Sequence, residues 1–509
     1  MISRLARRIG STPIGQPTKQ ATRFFSSSLA WEKQKLVILG SGWAGYELLR
    51  KVKRHEYDVV IISPNTYFAF TPLLASTAVG TLEFRCALEP VRRYSHNSLF
   101  YQAWAESIDF KAKTVHCLPA TGGNHFTDKV MEKDAKIAHA ESLTTASYPG
   151  TKPFPVPYDK LVIACGAYSQ TFNTPGVKEY GYFLKDVKDA RRIRSRILEC
   201  FEQASQPTLT DVERRNLLNF VIIGGGAIGV EFCAELHDLV TSDLAKNYPL
   251  LAGKPKITIY DVAPQILPSF DQGLVEFAIK KFKREGVSIK NNKQVVRVNE
   301  NTVEIKEDGL VPFGMLIWCT GLAPNPLVQS IKDLKRDPKT SGLMVDGSLH
   351  TIWDTNSNKN ELNMDVYAIG DATCMETRLP ATAQVATQQA QHLCKVLNAA
   401  ARGTAPPKDF AFKNAGMMAY IGGWEALIDR SKAGDAGPKA TAHVCSHEIM
   451  IGVLTMKGLL WRSAYWSMAL SWRNKAQASL LFPAPCFMYF QLAFYWFLNW
   501  IFGRDISRF

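Results

Sequence analysis

The sequence predicts an α/β protein carrying two Rossmann-like units, and three observations support this. A run of β-prone apolar residues, Lys35-Leu36-Val37-Ile38-Leu39, ends in Gly40-x-Gly42-x-x-Gly45 and passes into residues that can form a helix. The pattern returns 184 positions later, where Phe220-Val221-Ile222-Ile223 leads into Gly224-x-Gly226-x-x-Gly229. Each copy is followed by a buried strand that stops at a glycine, residues 161–166 ending in Gly166 and residues 315–321 ending in Gly321.

The glycine spacing has a physical reading. The first glycine allows the tight turn, the second lets the backbone approach a pyrophosphate, and the third lets the helix pack against its strand. A diphosphate then meets the free N–H groups of the helix start. Two fingerprints imply two dinucleotides or a duplication with one decayed copy, and the three glycines kept in both favour two dinucleotides.

In chain order, residues 1–30 contain Arg4, Arg7, Arg8, Lys19 and Arg23, several serines, and no acidic residue before Glu32. That composition predicts an organellar transit peptide, and the continuous apolar core of a secretory signal is missing. The formal net charge of +14 drops once this leader is removed but stays positive. A basic surface suits anionic lipid, and no basic cluster interleaved with aromatics argues for nucleic acid. The ten cysteines include no CxxC pair and no zinc-ribbon spacing, so no metal site is expected. Buried, reduced thiols are expected instead, and a disulfide reductase is disfavoured.

Tyr57-Asp58-Val59-Val60-Ile61-Ile62-Ser63 reads as the second strand of the first unit. The usual fingerprint places an acidic residue at its end to hold a ribose, where this chain has Ser63. An aromatic loop with Thr71-Pro72 follows, and residues 119–157 read as hairpins and surface loops. Residues 191–203 have helical spacing, and residues 207–216 read as a polar linker. The strand Lys256-Ile257-Thr258-Ile259-Tyr260 delivers Asp261, whose carboxylate can accept from adenosine ribose hydroxyls and would repel the extra phosphate of NADPH. Residues 365–372 form a strand ending in Gly370-Asp371.

Taken together, these segments resemble the two-dinucleotide-binding-domain flavoproteins. The closer resemblance is to the type II, non-proton-pumping NADH:quinone dehydrogenases of fungal mitochondria. It is carried by Ser63-Pro64-Asn65-Thr66-Tyr67-Phe68, by Phe70-Thr71-Pro72-Leu73-Leu74, and by Leu379-Pro380-Ala381-Thr382-Ala383-Gln384-Val385-Ala386-Thr387-Gln388-Gln389-Ala390. Met417-Met418-Ala419-Tyr420-Ile421-Gly422 and residues 502–509 add to it.

The resemblance implies non-covalent FAD on Gly40, Gly42, Gly45, Ser63, Thr71, Pro72, Gly166, Gly370, Asp371 and Ala383. It implies NADH on Gly224, Gly226, Gly229, Asp261 and Gly321. Glu231 aligns with the family's Gly-x-Glu and would face nicotinamide, or else serve only the helix. Gln384 and Thr387 would approach a ubiquinone head group from one helix face, Thr387 standing where other members carry His or Ile.

The expected reaction is NADH oxidation with two electrons passing through FAD to ubiquinone. The expected organisation is a transit peptide at 1–30 and a discontinuous FAD domain at 31–205 and 341–400. An NADH domain is inserted at 206–340, and 401–509 is a C-terminal membrane-anchoring region with membrane-associating helices. Trp461-Arg462 and Trp472-Arg473 mix rings with cations as interfacial segments do. Residues 486–502 are a marginal span interrupted upstream by Pro483 and Pro485, so surface attachment is favoured over crossing, and roughly 478–494 reads as an insertion. A homodimer peripheral to the inner membrane is implied. No apolar segment separates the leader from Lys35, which favours the matrix face. Two rival readings stay open, a sulfide:quinone oxidoreductase and an apoptosis-inducing-factor-like flavoprotein.

Overall fold

A computed structural model describes residues 33–94, 98–121, 152–355, 361–423, 425–432 and 441–444. The leader at 1–30, the aromatic–cation segments and the proposed insertion at 478–494 lie outside the described residues.

The first sheet is built on five parallel strands in the spatial order Leu362–Ala368, Lys160–Ile163, Gln34–Leu39, Tyr57–Ser63, Ser98–Asp109. Leu36, Val37, Ile38, Val59, Ile61, Leu161, Val162 and Ile163 are all fully buried. This follows from a parallel sheet covered on both faces, which needs continuous apolar strands rather than alternating ones. Antiparallel strands finish each edge, His350–Ile352 on one side and Thr114–Pro119 with Phe154–Pro157 on the other.

The helices Trp43–Lys51 and Ala383–Ala401 pack together. Gln391 Nε2 donates to Glu47 Oε1 at 2.9 Å, and the Tyr57 hydroxyl donates to the Leu397 carbonyl at 2.7 Å. The late helix is thereby held against the first glycine-turn helix, although more than 300 residues separate them.

The second sheet has five parallel strands in the order Tyr182–Phe183, Met315–Trp318, Asn219–Ile223, Lys256–Tyr260, Ser288–Lys290. Its edge strand comes from upstream of residue 206, where the sequence placed the start of the unit. The polar linker expected at 207–216 is in part the helix Asp211–Leu217, closed by a capping box in which Thr210 and Glu213 bond reciprocally.

The chain crosses between the units on two antiparallel strands, Ala167–Ser169 and Leu322–Pro324. Trp318 Nε1 and Thr320 Oγ1 both donate to the Gln170 carbonyl, at 2.8 and 2.6 Å. The first sheet takes strands from both sides of the second in sequence, so the second unit is an insertion in the first.

Within the region expected to anchor the protein, the described residues from 417 onward form strands rather than helices. Met417–Gly422, Glu425–Asp429 and Thr441–Val444 form an antiparallel sheet. It is fastened to the helix Ala227–Leu239 by Tyr420, whose hydroxyl donates to Asp238 Oδ2 at 2.6 Å, and by the Gly423 N–H on the same carboxylate. Among the described residues no helix is long and apolar enough to cross a membrane.

Candidate functional site

The two glycine turns are near copies. Gly40 has φ +106° and Gly224 has φ +110°, left-handed backbone that favours glycine. A Cβ on Gly40 would lie 2.4 Å from the Ala164 carbonyl oxygen, and one on Gly224 would lie 2.6 Å from that of Cys319. A Cβ on Gly45 would fall 2.0 Å from the Gly40 oxygen, and one on Gly229 would fall 2.0 Å from the Gly224 oxygen. Gly42 and Gly226 differ from these, since a Cβ there meets nothing within 4 Å. In each turn the first and third glycines are required by the protein itself, and the middle one leaves space open at the helix start. A diphosphate fits that space and the donors around it.

The strand ends beside the turns are also equivalent. Ser63 is buried, and its hydroxyl lies 2.8 Å from the hydroxyl of Ser41, the residue after Gly40. Asp261 is half-buried; its Oδ2 accepts from the N–H of Gly225, the residue after Gly224, at 2.5 Å, and its Oδ1 accepts from Ala263 N at 2.8 Å. Both residues brace their turn.

Thr71 accepts from Trp43 Nε1 at 3.0 Å, which fixes the Thr71-Pro72 segment on the first glycine-turn helix. Trp43 packs in turn against Phe68 and Phe70. Gly370, at φ +74°, packs against Ala44 and Ala386 and donates its N–H to Gln389 Oε1 at 2.7 Å. This sets Asp371 close to the first turn. Burial pushes the Asp371 carboxyl up and nearby Lys185 opposes the shift; burial likewise pulls the Lys185 ammonium down. Gly166 and Gly321 end their strand turns with open space where a side chain would be.

Gln384 and Thr387 lie on one face of the late helix, and Ala383 is its first residue. The Gln384 amide is already engaged, donating to Gly416 O at 2.7 Å and accepting from Ala415 N at 3.2 Å. Gln388 does the same one turn on, with Lys413 N and O. The two glutamines hold segment 413–416 alongside the helix. Gln384 therefore frames any cavity there through the backbone it binds, and half-buried Thr387 sits between the two clamps.

Glu231 is half-buried on the helix Ala227–Leu239, accepting from Tyr420 N at 3.3 Å. Burial pushes its carboxyl up to about 8, and Glu235 one turn on adds to the rise. Glu235 accepts from the Ser76 and Thr81 hydroxyls at 2.6 and 2.7 Å, tying the second unit's helix to the first unit.

The family of pyridine nucleotide-disulphide oxidoreductases matches this chain over residues 34–390. A probable NADH dehydrogenase of Dictyostelium discoideum is 35% identical, covering 94% of this chain and 92% of that protein. An internal alternative NAD(P)H-ubiquinone oxidoreductase of Solanum tuberosum mitochondria is 33% identical over 94% of this chain and 88% of its own. The chain belongs to the type II alternative NAD(P)H dehydrogenases.

Its fold is that of NDH2 from Plasmodium falciparum, solved in complex with NADH, with a TM-score of 0.76 at 23% identity over 94% of this chain and all of the other. The sulfide:quinone oxidoreductase of Aquifex aeolicus shares the fold more loosely, with a TM-score of 0.59 at 17% identity over 89% of this chain and 96% of its own. Within this type II dehydrogenase the eight described cysteines are all free. Burial pushes the Cys165 and Cys319 thiols up to about 12, so neither is a thiolate at neutral pH.

Several residues that shape the site were not read from the sequence. Lys185, Gln389, Tyr420 and Asp238 act across long separations. Gln389 and Tyr420 lay inside motifs that were read, and Gln389 differs from Gln384 and Gln388 in being buried.

Proposed function

We propose that this protein is a mitochondrial, non-proton-pumping NADH:ubiquinone oxidoreductase that uses non-covalently bound FAD. The observation that carries the reading is the pair of equivalent glycine turns, each with an open middle glycine, in a chain that lines up with alternative dehydrogenases almost end to end.

The first turn, with Gly40, Gly42, Gly45, Ser63, Thr71, Pro72, Gly166, Gly370, Asp371 and Ala383, holds FAD, and its open N–H groups receive the pyrophosphate. When bound, the flavin supplies two-electron redox chemistry between nicotinamide and quinone. The second turn, with Gly224, Gly226, Gly229 and Gly321, holds NADH, and Asp261 takes the adenosine ribose through acceptor positions left beside its two backbone bonds. Glu231, protonated at neutral pH, holds a proton where the second unit's helix faces the first. The late helix, with half-buried Thr387 between the Gln384 and Gln388 clamps, borders the quinone. The reading extends to a homodimer attached to the matrix face of the inner-membrane lipid surface in a fungal mitochondrion, without nucleic acid as a partner.

The test is purified protein with verified FAD content, assayed with NADH and a short-chain ubiquinone. Rotenone-insensitive quinone reduction is expected. Its absence sinks the reading, and sulfide-dependent reduction in its place would favour the rival.

A further inference from the structure

An ion-pair cluster lies beside the strand end that delivers Asp261. Lys290 ends the strand Ser288–Lys290 and stands in register with Tyr260, the residue before Asp261. The Asp261 N–H donates to the Lys290 carbonyl at 3.0 Å, and the Lys293 N–H donates to the Asp261 carbonyl at 2.9 Å. Both lysines thus leave the backbone directly beside the residue assigned to the ribose.

Their ammonium groups converge on Asp308. Lys290 Nζ donates to one carboxylate oxygen and Lys293 Nζ to the other, the second at 2.6 Å. Asp308 comes from the turn between Thr302–Ile305 and Gly309–Pro312, in a small antiparallel sheet separate from the dinucleotide sheet. All three side chains are half-buried. The pairs hold the Asp308 carboxyl below the usual range.

A ribose 2′-phosphate carries between one and two negative charges and is readily bound by lysine. Two free ammonium groups next to Asp261 would offset its charge and admit such a phosphate. Bound to one carboxylate, and with Lys290 Nζ also 5.3 Å from the Tyr260 ring centroid, they are held in place and half neutralised.

We infer that Asp308 is a specificity-determining positioning residue, which holds Lys290 and Lys293 in ion pairs and so keeps their charge off the ribose 2′ position. Asp261 is one part of the discrimination against NADPH, and the sequestered lysine pair is the other. The inference rests on the Gly224 turn being the NADH site.

The test compares kcat/KM for NADPH and NADH, with quinone as acceptor, in FAD-loaded full-length protein. Asp308→Asn should raise the NADPH-to-NADH ratio about tenfold, the size of one charge-assisted hydrogen bond. The change should appear in the NADPH KM rather than in kcat, and it should shrink as salt is raised. Adding Lys290→Met and Lys293→Met should abolish the gain. In the otherwise native chain the same lysine pair of substitutions leaves Asp308 uncompensated and should lower the ratio.

Opposite movements of the ratio support the inference. An unmoved ratio in both sets, or a gain in Asp308→Asn that survives loss of the lysines, overturns it. Should Asp308→Asn not fold, the lysine double variant decides alone. Lack of NADH turnover in the native protein would instead count against the assigned activity.

Discussion

Ser63 and Asp261 brace equivalent turns by different chemistry, one through a hydroxyl on Ser41 and the other through a carboxylate on the Gly225 N–H. The second residue places a carboxylate beside its turn and the first a hydroxyl. An acidic residue at the strand end beside the turn is therefore present only in the inserted unit.

Asp261→Asn keeps an acceptor for one backbone N–H and removes the charge. The NADPH-to-NADH ratio of kcat/KM should rise by about tenfold, corresponding to roughly 1.4 kcal/mol. The NADH KM should rise as well, because the turn loses a charged acceptor. Steady-state kinetics with both nucleotides measures this, and an unchanged ratio would remove Asp261 from the discrimination.

The glycines of the first turn should separate folding from binding. Gly45→Ala places a methyl 2.0 Å from the Gly40 oxygen and should prevent the helix from seating. Gly42→Ala meets no protein atom within 4 Å, so the fold should survive while FAD is bound at least about tenfold more weakly. Thermal unfolding and flavin content on the same samples read the two effects apart.

Glu231 gives a pH dependence with a definite sign. Burial pushes its carboxyl up to about 8 in the fold, against an ordinary value of 4.5. Between those values the native state holds a proton that the unfolded chain has released, so this group makes stability fall as pH rises through that window. Glu231→Gln cannot ionise. Its melting temperature relative to the native protein should therefore increase between about pH 5.5 and about pH 8.5. A constant difference would show that the carboxyl is not shifted.

Gln384→Ala should release one clamp on segment 413–416. The buried Gly416 carbonyl and the exposed Ala415 N–H lose their partner, at a cost of about 1 kcal/mol, since water can replace the glutamine at Ala415. If the glutamine acts through that segment, the quinone KM rises with little change in the NADH KM. Hydrogen exchange at Ala415 should speed up in parallel, which a direct contact with quinone would not require.

Reading the fold from the chain worked where the pattern is local. The strands Gln34–Leu39, Asn219–Ile223 and Lys256–Tyr260, and both glycine turns, are short segments whose apolar runs and glycine spacing encode the backbone directly. The helix Asp211–Leu217 carries its own capping-box signature, Thr210 followed by Glu213, and was legible although it was read as linker. The sheet from Met417 to Val444 was hidden by the apolar and aromatic composition it shares with the segments beyond it.

By itself, then, the chain determined two glycine turns, a single acidic strand end at Asp261, and cysteine spacing without a CxxC pair. Each is a property of adjacent residues or of their spacing. Only the tertiary structure decided that the Gln384 amide is spent on Ala415 and Gly416, that Gln389 holds Gly370, and that Asp308 holds Lys290 and Lys293. A polar side chain takes whichever partner the folded backbone brings within hydrogen-bond reach. For these residues that choice depends on how whole strands, helices and hairpins are laid against one another.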